Sequence, residues 1–261
     1  MSKNRKLSPG GQEENMEVHS MTYQTVFKRY ELKYMITMEQ KKRILEAMEP
    51  YMALDEYGHT TIRNIYFDTN NYRLVRHSIE KPEYKEKLRI RSYSQAEPDS
   101  TVFVELKKKY KSVVYKRRVS LPEDEAMKWV CKENHCSMDT QISEEIDYFL
   151  DYYETLRPVV FLSYEREAYY CRDGSDFRVT FDDTILCRQN ELSLEADVYG
   201  QPLIPEGMTL MEIKCSGAIP MWLVHVLTKE HIYKTSFSKY GTAYQTMIYK
   251  HNKSREVEAY A

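Results

Sequence analysis

The chain is short of glycine, of long apolar runs and of pairable cysteines, and each shortage argues against a class of protein. It has only eight glycines and no β-α-β rhythm carrying a glycine-rich loop, which argues against a Rossmann or P-loop nucleotide site. The longest uncharged run in the C-terminal part, Cys215 to Thr228, is about 14 residues long and holds Pro220 and His225, too short and too interrupted to span a bilayer. Met1 to Ser20 contains Pro9-Gly10-Gly11 and no apolar core of a signal peptide, so it reads as a disordered tail. Five cysteines, an odd number without an export signal, point to reduced thiols and a cytoplasmic protein. Cys131, His135 and Cys136 lie close together but lack a second ligand pair, so they read as ordinary thiols and not as a zinc site.

What is present is charge, and it is segregated. The net charge is −2, yet Lys81 to Arg118 holds twelve Lys and Arg against five Asp and Glu, and Leu121 to Thr155 holds ten acidic residues against two lysines. A basic block in a near-neutral chain points to one local anionic ligand and away from nucleic acid, which usually calls for a basic domain overall.

Alternation and β-branched or aromatic residues predict strands over Tyr23–Ile36, Thr60–Phe67, Lys85–Tyr93, Thr101–Tyr110, Ser112–Leu121, Arg157–Cys171, Phe177–Asp182 and Met208–Cys215. Thr37 is placed to cap a helix whose Met38, Ile44, Leu45 and Met48 share a face and which Pro50 closes. Asp68-Thr69-Asn70-Asn71 favours a turn or helix start. The acidic block carries two amphipathic helices, with Met127 and Val130, then Ile142, Ile146, Phe149 and Leu150, as apolar positions. Two more helices, Met221–Glu230 and about Tyr240–Lys250, finish an α+β pattern centred on an antiparallel sheet or barrel.

Strand parity then says where the charges face. Lys85, Lys87, Arg89 and Arg91 share one face while Glu86, Leu88 and Ile90 take the other. Phe103, Glu105, Lys107 and Lys109 do the same, as do Arg29, Glu31 and Lys33, Tyr164 and Arg166, and Glu212 and Lys214. Arg178 shares a face with Thr180 and Asp182, and either reaches the interior or pairs with Asp182. A single such strand reads as a solvated face; five of them, dominated by Lys and Arg, read as the lining of a cationic barrel. Two cations about 6 Å apart repel by roughly 3 kcal/mol at an effective dielectric near 20, so the lining is strained until a polyanion enters. On that argument Arg91→Ala leaves the empty protein as stable as before, or more so.

These strands also carry a series of motifs: RYELKY (Arg29–Tyr34), IYFDT (Ile65–Thr69), KLRIRSY (Lys87–Tyr93), VELKKK (Val104–Lys109), YKRRVSL (Tyr115–Leu121), SYEREAY (Ser163–Tyr169), MEIK (Met211–Lys214) and FSKY (Phe237–Tyr240). In this order they resemble the VTC domain, the polyphosphate polymerase domain of the vacuolar transporter chaperone complex, within the triphosphate tunnel metalloenzyme (CYTH-like) superfamily. The resemblance spans about residues 23–250, leaving tails at 1–22 and 251–261. It implies a closed, eight-stranded antiparallel β-barrel with flanking helices, whose interior binds the triphosphate of ATP and a growing inorganic polyphosphate chain with Mg or Mn. Carried over residue by residue, it assigns catalytic phosphate contacts to Lys33, Arg89, Arg91, Lys107, Lys116, Arg166 and Lys239. Tyr164 and Ser238 are implied as hydroxyl partners and Glu212 as the metal ligand. Shared faces add Arg29, Lys87, Lys214 and Arg178 as substrate contacts and Glu31 and Glu105 as further metal candidates, although these two serve equally as counter-charges; for Glu212 the alternative is an ion pair with Lys214 or another interior cation, and the resemblance favours the metal. The resemblance further implies a membrane-embedded partner through which product leaves.

Many tunnel metalloenzymes open with a Glu-x-Glu-x-Lys strand, whereas this chain reads Arg29-Tyr30-Glu31-Leu32-Lys33. The missing carboxylate weighs against hydrolysis more than against chain synthesis, because water needs activation and a phosphate oxygen does not. An inorganic or nucleoside triphosphatase, or a binding module without catalysis, remains the alternative.

Overall fold

The computed structural model describes residues 30–249, residue 112 excepted; the expected strand portion at 23–29 lies outside that range, and with it Arg29. Strand β1 (Tyr30–Thr37) runs into helix α1 (Met38–Met48) through a capping box. The Thr37 hydroxyl accepts from the Gln40 N–H at 3.2 Å, and the Gln40 side chain accepts from the Thr37 N–H at 3.0 Å. Ile44 and Met48 are buried as expected, whereas Met38 is exposed and Lys41 takes a buried place.

Strand β2 (Met52–Asp68) is far longer than the predicted segment and ends on a carboxylate that organises the start of the next helix. Asp68 accepts the N–H groups of Thr69, Leu74 and Val75, the last two opening helix α2 (Arg73–Ile79). Strands β3 (Tyr84–Ser92), β4 (Thr101–Tyr110) and β5 (Val113–Pro122) form an antiparallel meander, and helices α3 (Glu123–Val130) and α4 (Gln141–Tyr152) come after it. Then come β6 (Arg157–Cys171), β7 (Arg178–Arg188), the two-residue β8 (Gln201–Pro202), β9 (Met208–Cys215), α5 (Met221–Lys229), the two-residue β10 (Lys234–Thr235) and α6 (Lys239–Ala243), which continues as a π-helical turn, Tyr244–Ile248.

All strands join one ten-stranded sheet in the order β10-β1-β9-β7-β6-β2-β3-β4-β5, with β8 on β7, and each pairing is antiparallel. The expectation of an eight-stranded closed barrel is corrected here: among the described residues no ladder joins β10 or β1 to β5. The sheet nevertheless curls strongly. Lys107 on β4 reaches Glu31 on β1 at 3.2 Å, although five strands separate them along the ladder.

Apolar packing outside the curl turns the charged rows inward. Leu88, Ile90, Val102, Val104, Leu106 and Val119 are buried against Ala126, Trp129, Ile146 and Phe149 of α3 and α4. Tyr34, Ile36, Val179, Phe181, Met211 and Ile213 are buried with α1 and α5. Fully burying such side chains stabilises by about 1.5–3 kcal/mol each. Slipping any strand by one residue would put its cations into these cores, so the register is strongly specified.

Candidate functional site

Three neighbouring groups of side chains occupy the concave face. The first centres on Glu105, which lies between Arg89 and Arg118 in the registers of β3, β4 and β5. Its carboxylate is fully buried and accepts from Arg89 (Nε 2.8 Å, Nη2 2.7 Å), Arg118 (Nε 2.9 Å, Nη2 2.7 Å) and Lys116 (3.1 Å), with Arg91 at 3.9 Å. Burial pushes its pKa up, but Arg89, Arg91, Lys116 and Arg118 together hold it well below the usual carboxylate range. Arg89 also donates to the Tyr66 hydroxyl at 2.9 Å, and Arg91 to Asn64 Oδ1 at 2.9 Å and the Tyr164 hydroxyl at 3.0 Å. Burial raises the Tyr164 phenol, yet Arg91, Arg166 and Lys239 bring it down to about 8.

The second group joins β6, β7, β9, β1 and α6. Asp182, fully buried, accepts a fork from Arg166 (Nε 2.6 Å, Nη2 2.7 Å) and a bond from Lys239. Glu212 sits among Lys33 (3.2 Å), Lys214 (3.5 Å), Lys239 (3.5 Å) and Arg166 (3.8 Å). Both acids are opposed by burial and held ionised by these cations. Ser238 caps α6 by accepting from the Gly241 N–H, which aims Lys239 inward from the next position.

The third group is a row of lysines. Lys87 donates to Ser238 Oγ at 3.0 Å and has no carboxylate partner among the described residues. Burial, then Lys33, Lys107, Lys85 and Arg89, depress its pKa to about 7. Beside it, Lys107 holds Glu31 at about 2 against burial and the repulsion of Glu212. Lys85 is lowered by burial and by Lys109, Lys107, Lys33 and Lys81.

The structure thus brings Lys33, Lys87, Arg89, Arg91, Lys107, Lys116, Tyr164, Arg166, Lys214, Ser238 and Lys239 to one face together with Glu31, Glu105 and Glu212. Arg178 departs from this: it is exposed, and its offered partner Asp182 is taken by Arg166 and Lys239. Four residues along a strand span about 13 Å, too far for that ion pair. The sequence reading also missed Arg118, Asn64 and Tyr66; Arg118 had a signal, its parity with Lys116.

The metal candidates divide. Glu105 has both oxygens engaged by guanidinium and ammonium groups and stands apart from the other two, which leaves it the part of a counter-charge. No three His, Cys, Asp or Glu converge on a cation-sized site among the described residues. Glu31 and Glu212 do sense one another electrostatically and are both ionised. One or two carboxylates completed by phosphate oxygens and water suit Mg or Mn, so this pair fits such an ion.

A model of the VTC domain matches residues 28–248. No curated protein matches the sequence. Among solved structures, a proposed adenylate cyclase from Bacillus halodurans is 15% identical with a TM-score of 0.50, covering 81% of this chain and 96% of that one. A proposed adenylyl cyclase from Hippeastrum, described as having a dominant triphosphatase activity, is 14% identical with a TM-score of 0.47, covering 83% and 94%. The first of these likenesses shows a shared fold. Since the VTC match runs from just ahead of β1 through the π-helical turn, across every strand that lines the concave face, the chain belongs to the VTC domain family.

Proposed function

We propose that the concave face is a tunnel in which the protein builds inorganic polyphosphate from ATP. The observation that carries this reading is the surplus of cations over carboxylates on the concave face, with the half-buried Lys87 at the centre meeting no carboxylate among the described residues. A lining of that kind is balanced by several phosphates in a row, and a single carboxylate or phosphate ester would leave most of it uncompensated.

In this reading Arg166, Lys239, Lys33 and Lys214 receive the triphosphate, with Tyr164 beside them, its hydroxyl bonded to Arg91 and its ring under the Arg166 guanidinium. Arg89, Arg91 and Lys116, fixed by Glu105, hold the phosphates without reorganising when charge shifts. Lys87 and Lys107 face the acceptor chain. A terminal oxygen of that chain forms a bond to the γ-phosphorus, the bond from that phosphorus to the β–γ bridging oxygen breaks, and ADP leaves with the electron pair. The attacking oxygen is already anionic, so no side chain has to remove a proton. Mg or Mn, held by Glu212 and Glu31, would supply further charge neutralisation to the phosphate oxygens.

Hydrolysis would need a base for water, and Glu31, Glu105, Asp182 and Glu212 are all held below their usual range, which makes them weak bases at neutral pH. The triphosphatase reading keeps one specific support: Lys87, pushed to about 7, can accept a proton. The tunnel reading places the protein where ATP is made available, in the cytoplasm, and gives product a membrane-embedded partner to leave by. No helix among the described residues is long and apolar enough to cross a membrane itself.

The test is to incubate the protein with ATP and Mn and separate the products by gel. ADP with long phosphate chains supports the polymerase, ADP with free phosphate moves the reading to a triphosphatase, and metal-independent binding without turnover moves it to a binder.

A further inference from the structure

Beyond the central site, the lysine row continues to a surface cavity of about 570 Å³ whose lining includes Lys81, Lys85, Lys109 and Lys111 together with Glu83 and Ser236. Lys85 and Lys109 are directly opposed across β3 and β4, one step outward from Lys87 and Lys107. None of the four lysines has a carboxylate within ion-pair distance among the described residues. Lys85 donates instead to the Ser78 carbonyl at 3.3 Å, and Lys111 lies over the Tyr110 ring. Glu83 offers its backbone carbonyl to the Lys111 N–H, and its side chain pairs with no lysine of the group.

The other borders of the charged face are unlike this one. Along β1 and β9 the interior row passes from Glu31 opposite Lys214, and Lys33 opposite Glu212, to Met35 opposite Leu210. Those two pack with Ile62, Tyr164, Ile185, Ile204 and Phe237 in a cluster that carries no cation and whose one hydroxyl, on Tyr164, is already bonded to Arg91. In the opposite direction along β3 and β5, Arg91 near the end of β3 and Arg118 in the middle of β5 face Glu105. A phosphate chain longer than the central site therefore meets an apolar border or engaged arginines in those directions, and free ammonium groups in the direction of Lys109.

We propose that Lys81, Lys85, Lys109 and Lys111 form a chain subsite at the mouth of the tunnel, which holds the part of an inorganic polyphosphate that extends past the central phosphates. This rests on the polyphosphate reading of the tunnel and adds to it a direction and a dependence on chain length. Lysine suits the task because its ammonium is a movable point charge that follows a sliding polyanion, whereas a forked guanidinium fixes one phosphate. Every phosphate that reaches the mouth adds attraction, and salt weakens it.

The test compares tripolyphosphate with long-chain polyphosphate by calorimetric titration at low salt, using wild type and the triple variant K81N/K109S/K111N. Asparagine is chosen at 81 and 111 because both lysines have positive φ (57° and 43°), a region asparagine tolerates. A charge-matched control, K42S/K132N/K229S, removes exposed lysines from other parts of the molecule. Wild type and the control should bind the long chain more tightly than tripolyphosphate. The mouth variant should keep its melting temperature and its tripolyphosphate affinity within about twofold, and lose about tenfold of the long-chain advantage. The mouth subsite is wrong if that variant keeps the advantage, if it loses tripolyphosphate equally, if the control loses as much, or if wild type shows no advantage at all. A single-stranded oligonucleotide that gains as much from the mouth would overturn the ligand class. If wild type binds neither phosphate, the tunnel reading itself fails, and that result is distinct from all the others.

Discussion

The Glu105 cluster and the Lys87 row share strands β3 and β4 yet hold positive charge in opposite ways. Around Glu105, each cation has a buried carboxylate oxygen or a phenol to meet, so the arginines are part of the folded architecture even when nothing is bound. Around Lys87, ammonium groups face each other with a serine hydroxyl between them and the helix start. The first arrangement fixes donors in place, and the second leaves charge uncompensated for a ligand to meet. A phosphate-transfer site needs both: rigid forks where the reacting phosphorus sits, and unsatisfied point charges where a chain slides.

The largest effect is expected where the fixed arrangement is broken. Asp182→Ala takes from Arg166 and Lys239 their fully buried carboxylate and leaves them only the longer contacts to Glu212, and a broken buried pair costs about 3–5 kcal/mol, readable by denaturant unfolding of the empty protein. Lys87→Met should do the reverse and raise the stability of the empty protein by about 1 kcal/mol or more at neutral pH, since a side chain of similar shape replaces a half-buried cation that meets no carboxylate among the described residues. The same change should weaken tripolyphosphate binding by about 1.5–3 kcal/mol, measured by calorimetry. Equal losses of stability in the two variants would erase the contrast.

This contrast is only partly legible in the sequence. Parity places Arg89, Arg91, Lys107 and Lys116 on the interior face because strand alternation has period two and the opposite rows are apolar. It cannot say which cations are already partnered. Repulsion alone makes Arg91→Ala a relief of strain, but Arg91 is tied to Asn64, Tyr164 and Glu105, so relief belongs to Lys87. Nearness in sequence offers Asp182 to Arg178, whereas its partners come from β6 and α6, contacts that only the curl creates. For the fold, alternation finds β6 and β9 with their observed bounds. It does not find the first half of β2: Met52–His59 interrupts its pattern with Asp55 and Gly58, and is held by pairing with β6 across a bulge. β7 outruns its prediction because Thr184, at φ 46°, lets the strand continue past an irregularity.

A smaller effect concerns protons. The folded pKa of Lys87, about 7, lies below the usual lysine value of 10.5, so the unfolded chain binds more protons between those limits. Stability of the empty protein therefore rises with pH through that window. A polyanion beside Lys87 raises its pKa, so tripolyphosphate binding near pH 8 should take up part of a proton, seen as a dependence of the binding enthalpy on buffer ionisation. Lys87→Met should lose most of that dependence; an unchanged value would assign the proton elsewhere.

The smallest effect is expected at Lys108, which parity sends outward and which meets Glu145 of α4 at 3.9 Å. Lys108→Ala should change stability by about 0.5 kcal/mol or less and leave phosphate affinity as it was. A loss of affinity comparable with that of Lys87→Met would mean that net charge, and not the interior row, governs binding.

The most direct test of the central claim is the melting temperature of wild type and Lys87→Met with and without tripolyphosphate. A ligand bound only by the folded state stabilises by mass action. The account predicts that wild type gains several degrees, on the order of 4–8 °C for 2 kcal/mol in a chain of this size, and that the advantage of Lys87→Met in the empty state shrinks or reverses once the ligand is present. A wild-type melting temperature that tripolyphosphate leaves unmoved, with Lys87→Met no more stable than wild type when empty, would contradict it.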